Sequence, residues 1–418
     1  MSERVRLHGM AYGGAAVGRL EDGAAVFVQG GLADEVVDVE VLERKKTFAR
    51  ARLVQVLEPA ASRIQPPCPH FLEGCGGCQW QHAAYDAQLA YKQGILADQV
   101  RRMGGIADPP LLEPVASALP FGYRNTAEFH LSGRIVGFHR EGSHELVDVV
   151  HCPLMEQPIE AALGALRKVR SKLAGISSVH VRNGLEALQL ALISPEDPRG
   201  YKVLAGELAA EVELAAGKPA RVAGVRAGSD RMRGLHGEPW VHMPLADRSF
   251  RVSALSFFQV NSGMAEVLAR KVAEQFKPRD RVLDLFSGVG TFALLAADQA
   301  DEVVGVESHH AALADGAANA AEAGAENARF LESDVASALE LAAERWDLAI
   351  VDPPRGGCPR KVLEALNAQR IAYVSCDPST LARDLKVLLA RGFTLTSVQL
   401  LDMFPQTYHI EAVAVLHQ

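Results

Sequence analysis

Residues 281–291 read Arg281-Val282-Leu283-Asp284-Leu285-Phe286-Ser287-Gly288-Val289-Gly290-Thr291. A short apolar strand runs into a turn with two glycines, and the turn opens a helix. Glycine lets a backbone turn tightly and pass close to a ligand. The same grammar repeats downstream: EVVGVES (302–308), ARFLESD (328–334), DLAIVDPP (347–354), RIAYVSC (370–376), LTSVQLLDMF (395–404) and HIEAVAVLH (409–417) are strand-like, with helix-like runs between most of them. Strands alternating with helices of roughly 10–15 residues mean parallel βαβ units, hence a doubly wound, Rossmann-like α/β sheet whose ligands bind at the carboxyl ends of the strands.

Glu307 closes the second strand, 19 residues beyond Gly288, where a carboxylate can accept hydrogen bonds from both hydroxyls of a ribose. Asp334 closes the third and can receive an adenine amino group. The turn lacks the third glycine of a dinucleotide site, and Asp284 brings a negative charge that suits a sulfonium better than a pyrophosphate. The expected ligand is therefore S-adenosyl-L-methionine. The plainer alternative is a packing turn with solvated carboxylates.

Two further strand ends carry candidate chemistry. Asp352-Pro353-Pro354-Arg355 is stiffened by its prolines, and it offers Arg355 where amine methylation would want an aromatic residue. Ser375-Cys376-Asp377-Pro378 follows the fifth strand. Asp377 suits a helix N-cap and Pro378 the first helical position, so Cys376 is expected at a helix start, where the dipole lowers a thiol pKa and the Asp377 charge opposes it. A buried inert thiol is the bland reading. The strand-end position beside the cofactor loop favours a nucleophile, with Glu411 as the base that later removes a proton.

Upstream, residues 4–58 show short alternating strands and glycine-rich turns, which predict a small closed β-barrel. Its one cationic run, Arg44-Lys45-Lys46, reads most simply as a solvated turn. CPHFLEGCGGCQWQH (68–82) then places Cys68, Cys75 and Cys78 within eleven positions, with Cys152 further on in HCPLM. Four thiolates suit zinc or an iron–sulfur cluster, and spacing alone does not choose between them. The spacing differs from the C-x3-C-x2-C of radical S-adenosylmethionine enzymes, so a stapling role is expected. Cys358 has no partner and reads as a bystander. A helix-like run covers Tyr85–Met103, with Leu89, Lys92, Ile95, Leu96 and Val100 near helical spacing. Residues 121–250 read as strands with a helix or two, an antiparallel or mixed middle domain.

The chain has 418 residues, 48% of them hydrophobic and 22% charged, and a net charge of −8, which describes a globular protein of two or three domains. The charge argues against coating nucleic acid by bulk electrostatics. The amino terminus carries no apolar leader and no run approaches the roughly 18 apolar residues of a membrane span, so a cytoplasmic protein without a membrane partner is expected.

The runs FFQVN (257–261), DLFSGVGTF (284–292), DPPRGG (352–357), SCDPSTLARDL (375–385) and DMFPQTYHIE (402–411) resemble the RNA (uracil-5-)-methyltransferase family. The barrel segment resembles a TRAM domain, an OB-like RNA-binding module. The four cysteines, with FGYRNTAEF and GFHREGSHELVDVVHCPL, resemble the middle domain of that family's iron–sulfur branch. Two departures stand out: six residues separate Cys68 from Cys75, one more than expected, and Ser287 stands where another cysteine is common.

The resemblance implies three domains: a TRAM barrel over 1–58, an iron–sulfur and RNA-binding α+β domain over 59–84 and 119–255, and a class I methyltransferase domain over 85–118 and 256–418. It implies Cys376 as nucleophile and Glu411 as base, Gln259, Phe286, Thr291, Glu307, Asp334 and Asp352 around S-adenosyl-L-methionine, and Cys68, Cys75, Cys78 and Cys152 holding a [4Fe-4S] cluster. Arg124, Asn125, His139 and Arg140 become candidate RNA contacts. The implied activity is 5-methylation of a uridine in 23S rRNA by a monomer, through a covalent adduct to C6 of a flipped-out base. The T-loop uridine of tRNA is the alternative target. A non-catalytic cluster-bearing RNA-binding factor is a third reading, which the intact SCDP and HIE motifs disfavour.

Overall fold

The computed structural model describes residues 2–229 and 231–418. Strands Ser2–Met10, Ala16–Arg19, Ala25–Gln29, Val36–Arg44 and Phe48–Glu58 close into a barrel. Alternation decides what the barrel buries: Val5, Leu7, Val26, Val28, Val37 and Val39 point inward while their neighbours face out. The cationic triplet lies at the turn after the fourth strand. Arg44 pairs with Asp22 and Lys45 with Glu43, so local acids neutralise most of its charge, as a solvated turn would have it.

The middle of the chain forms a seven-stranded sheet in the spatial order Met232–His236, Ala220–Arg226, Leu188–Ser194, Ser178–Asn183, Thr126–Ser132, Ile135–His139, Leu146–Asp148. It is mixed, because Leu188–Ser194 and Ala220–Arg226 run parallel and the other neighbours antiparallel. Helices Gln157–Val169 and Lys202–Ala216 supply the other half of its core through Leu163, Leu166, Leu208 and Val212. The ribbon Trp240–Leu245/Arg248–Ser253 stays outside that sheet. Its Val241, Met243, Phe250 and Val252 pack with Phe258, Ala265 and Leu294 of the carboxyl-terminal region.

That region carries the expected doubly wound sheet. Five parallel strands lie in the order Ala328–Glu332, Glu302–Glu307, Arg281–Leu285, Trp346–Val351, Ala368–Ser375, and Glu411–His417 then inserts antiparallel between the last of them and Thr394–Leu401. Glu411 therefore starts a central strand. The preceding loop, Asp402–Ile410, runs along the carboxyl edge of the sheet.

Helix Tyr85–Arg102 packs against helix Pro378–Ala390 and buries Ile95, Leu96 and Val100 in the core of the carboxyl-terminal region. Lys92 shares that apolar stripe and is wholly buried; its Nζ donates to Asp402 Oδ1 at 2.6 Å and to the Phe404 carbonyl at 2.9 Å. One turn earlier, Gln88 donates to Gln406 Oε1 at 3.0 Å and accepts from its backbone N–H at 2.9 Å. Removing one partner of a buried pair strands the other charge in low dielectric, at about 3–5 kcal/mol, whereas replacing both with apolar groups is often close to neutral. Lys92→Met should therefore lower the urea-unfolding free energy by about that amount, and Lys92→Met/Asp402→Leu should recover most of the loss.

Candidate active site

The strand register assembles the site. Phe286 and Asp352 follow the last paired residues of their strands and Glu307 is the last residue of the neighbouring parallel strand, so the three share one edge of the sheet. Ser375 pairs with Ala412, which sets Cys376 across from Glu411 as the fifth strand leaves the sheet. Both expected reacting groups thus stand together, with Asp352 on the next strand.

Asp377 caps the following helix as expected: its Oδ1 accepts from the N–H groups of Ser379 and Thr380, each at 2.9 Å, and Pro378 takes the first turn. Cys376 lies one residue before the cap. The Asp377 Oδ2 accepts from the hydroxyl of Tyr12, a barrel residue, at 2.8 Å.

Gln259, Phe286, Gly288, Thr291 and Asp352 line one small cavity, with Phe257 exposed at its rim. Gly290 has φ +83°, and a Cβ there would meet the Phe330 ring at 2.7 Å, so both conformation and space require glycine. Phe286 holds φ +66° without that freedom, a strained conformation of the kind that gathers at functional sites. Glu307 accepts from the backbone N–H of Gly288 at 2.9 Å, tying the glycine turn to the second strand. Among the described residues, the buried Asp284 Oδ1 and Ser287 Oγ have no hydrogen-bond partner, which leaves polar atoms beside the turn for a ligand to satisfy. Asp334 is exposed and caps a short 3-10 turn through Ala336, outside that cavity.

Cys68, Cys75, Cys78 and Cys152 line a second cavity of about 210 Å³, walled by Phe71, Phe138, Leu154 and Met155. All four are free thiols. Burial pushes Cys75 and Cys78 upward and Cys152 to about 12, with neighbouring sulfurs adding to each shift. Among the described residues, no group of three or more His, Cys, Asp or Glu is gathered closely enough to hold a metal ion. Cys358 lies apart in the catalytic core, its N–H on Asp384.

The candidate RNA contacts separate. Asn125 is corrected: it is 1% exposed, and its side chain donates to the Gln259 carbonyl and Ser262 Oγ, each at 3.0 Å. It braces the segment that carries Gln259 instead of facing solvent. Arg124 borders the cysteine cavity. His139 and Arg140 line an open hollow of about 670 Å³ that also touches Tyr408. Sequence reading assigned no role to Tyr12 or Phe257; the positive signal for either is their place in the fold.

A profile of the tRNA (uracil-5-)-methyltransferase family matches residues 241–418, and a TRAM domain profile matches residues 3–54. The 23S rRNA (uracil(1939)-C(5))-methyltransferase RlmD of Pseudomonas putida is 36% identical, covering 99% of this chain and 93% of that protein. The chain belongs to the RNA (uracil-5-)-methyltransferase family. An uncharacterized RNA methyltransferase of Gloeobacter violaceus is 35% identical, covering 99% of this chain and 96% of its own. Among solved structures, Pyrococcus abyssi tRNA (uracil-54, C5)-methyltransferase in complex with S-adenosyl-L-homocysteine matches 100% of this chain and 99% of that one, with a TM-score of 0.77 and 26% identity. The methyl donor of this RNA (uracil-5-)-methyltransferase is S-adenosyl-L-methionine. Among the described residues, no helix is long and apolar enough to cross a membrane.

Electrostatics at the methyltransferase site run against the dipole expectation for Cys376. Burial pushes its thiol up to about 11, and the carboxyls of Glu411 and Asp352 push the same way against the Arg355 guanidinium. The helix dipole loses because desolvation and two carboxyls outweigh a partial charge. Burial likewise raises Asp352 to about 7, and burial with the Asp352 charge raises Glu411 well above the carboxylate range. With the thiol protonated below its pKa, iodoacetamide alkylation of Cys376 in the ligand-free enzyme should rise about tenfold per pH unit from about pH 7 to 10. A plateau by pH 8 would contradict the buried, acid-flanked thiol.

Proposed function

We propose that this enzyme methylates C5 of a uridine in 23S rRNA, with Cys376 as nucleophile and Glu411 as base. The observation that carries the chemistry is the antiparallel register that sets Cys376 opposite Glu411, beside Asp352. The target rests on full-length similarity to the 23S rRNA enzymes of Pseudomonas putida and Aeromonas hydrophila, at 36% and 34% identity. A uridine in tRNA is the second reading, favoured by the fold shared with the Pyrococcus abyssi tRNA enzyme. The division of labour is a TRAM barrel over 1–58, a middle domain over 59–84 and 119 to about 239, and a catalytic domain over 85–118 and the remainder, with the 240–253 ribbon moved to the catalytic side on its packing. A cytoplasmic monomer suits an RNA substrate and six free thiols.

C5 of uracil is too weak a nucleophile to take a methyl group unaided. The Cys376 thiolate adds to C6, forming a C–S bond and moving electron density onto C5. When bound, S-adenosyl-L-methionine supplies an electrophilic methyl group and a positive charge, which favours the ionised forms of Cys376, Asp352 and Glu411. Glu411 then takes the C5 proton on a carboxylate oxygen, and the C6–S bond breaks with its electron pair leaving on sulfur, which restores the ring and the Cys376 thiolate. Gln259, Phe286, Thr291, Glu307 and Asp352 would hold the cofactor, with Asp334 toward its adenine. Reaching C6 requires the base to leave its stack, at a few kcal/mol offset by pocket contacts.

The four thiols around one cavity of about 210 Å³ suit a compact multi-atom group better than a single ion, since zinc draws its sulfurs to about 2.3 Å of one point. Cys68, Cys75, Cys78 and Cys152 would hold a [4Fe-4S] cluster that staples a loop-rich segment. Anaerobically purified enzyme should contain about four iron and four sulfide per chain. Stoichiometric zinc without sulfide would overturn the cluster.

Unmodified transcripts of a 23S rRNA fragment and of tRNA, incubated with enzyme and labelled donor, should give 5-methyluridine in the rRNA fragment alone. Cys376→Ala should lower turnover by at least about 1,000-fold while retaining RNA binding. Product only in tRNA would overturn the target, and retained turnover of the variant would overturn the nucleophile.

A further inference from the structure

The turn between the first two barrel strands, residues 11–15, reaches the catalytic domain. The Tyr12 hydroxyl donates to Asp377 Oδ2 at 2.8 Å across 365 residues of sequence, and its ring meets Tyr408 edge-on with centroids 5.9 Å apart. Tyr408 in turn packs on His409 at 4.5 Å, two residues before Glu411. The turn is held where it docks. Gly14 accepts from Trp80 Nε1 at 3.0 Å, and with φ +90° a Cβ at this position would press on the Tyr408 ring at 3.0 Å. One barrel side chain therefore touches the segments bearing both proposed reacting groups.

Asp377 ties this contact to the thiol. Its other oxygen caps the helix, and Ser375 Oγ bonds both the N–H and the carbonyl of Asp377, so the turn around Cys376 closes on itself. Burial and the neighbouring carboxylate hold Tyr12 well above the usual phenol range, so the hydroxyl keeps its proton and donates.

We infer that Tyr12 is a positioning residue for methyl transfer: through Asp377 it orients Cys376, and it disperses part of the carboxylate charge beside the thiol. The barrel is then a component of the active site as well as a surface for RNA. This rests on the assignment of Cys376 as nucleophile. Burial and the Glu411 and Asp352 carboxyls push the Cys376 thiol up against Arg355, and the Tyr12 hydrogen bond acts on the separate carboxylate of Asp377, the next residue in the chain.

Two substitutions separate this role from a structural one. Tyr12→Phe keeps the ring on Tyr408 and removes the donor. Asp377→Ser keeps a helix-capping oxygen and removes the charge. With the cluster-loaded enzyme, Tyr12→Phe should lower kcat about tenfold with KM for RNA and donor within about twofold, the pattern of a lost transition-state interaction. Alkylation of Cys376 by iodoacetamide, followed on its own peptide by mass spectrometry without RNA, should slow in Tyr12→Phe and quicken in Asp377→Ser. The double variant should match Asp377→Ser, because Tyr12 then has nothing to act through. Loosening of the fold would move both single variants the same way. Unchanged alkylation and kcat in Tyr12→Phe, or an additional effect of Tyr12→Phe in the Asp377→Ser background, would overturn the inference. If the wild-type enzyme leaves the rRNA fragment unmethylated, the target reading fails, while the alkylation series still decides the role of Tyr12.

Discussion

The buried ion pair between Lys92 and Asp402 anchors the segment on which the rest of the molecule converges. The loop between the edge strand Thr394–Leu401 and the inner strand Glu411–His417 must satisfy its backbone polar groups without a sheet partner. Here distant parts of the chain do so. Lys92 and Gln88 come from the helix Tyr85–Arg102 between the two segments of the middle domain, Asn261 donates to the Met403 carbonyl, Tyr123 to the Pro405 carbonyl, and the N–H groups of Gln79 and Trp80 to the Gln406 carbonyl. Gln406 adopts φ +70°, a conformation the surrounding bonds must impose. The strand that begins with Glu411 is thus aimed by groups from the helix Tyr85–Arg102, the cysteine segment, the middle domain and the 257–261 segment together.

This arrangement gives the cysteine segment a mechanical connection to catalysis. Cys78 is followed directly by the two residues whose N–H groups bond the Gln406 carbonyl, so whatever fixes the four thiols also fixes that edge of the loop. At the other edge the sheet end is electrostatically loaded against ionisation. Asp284, Asp352, Glu411 and Cys376 all have raised pKa values with burial as the first cause. Such a site is at its least favourable for charge when no cation is near, which suits one built around a sulfonium.

The fold of the carboxyl-terminal half was legible because each strand is a short apolar run ending in a chemically distinct residue, and the Asp377-Pro378 cap was legible because capping is a local rule. The barrel followed from alternation and turn spacing. What escaped depends on partners far away in sequence. Lys92 reads as an interruption of an apolar stripe until Asp402, 310 residues on, is brought to it. Asn125 reads as a candidate RNA contact until the fold buries it against Gln259. The sequence sets the helix dipole against the Asp377 charge at Cys376 without deciding between them, and the burial that decides the sign is not visible there.

The central claim is that Cys376 attacks C6 of a uridine while Glu411 waits to remove the C5 proton. Fluorine at C5 cannot leave as a cation, so a 5-fluorouridine-substituted 23S rRNA fragment should stall after methyl transfer with the C6–S bond intact. Mass spectrometry of the trapped complex should find the methylated nucleotide on the peptide containing Cys376. An adduct on another cysteine, or turnover of this RNA without a trapped complex, would contradict the account.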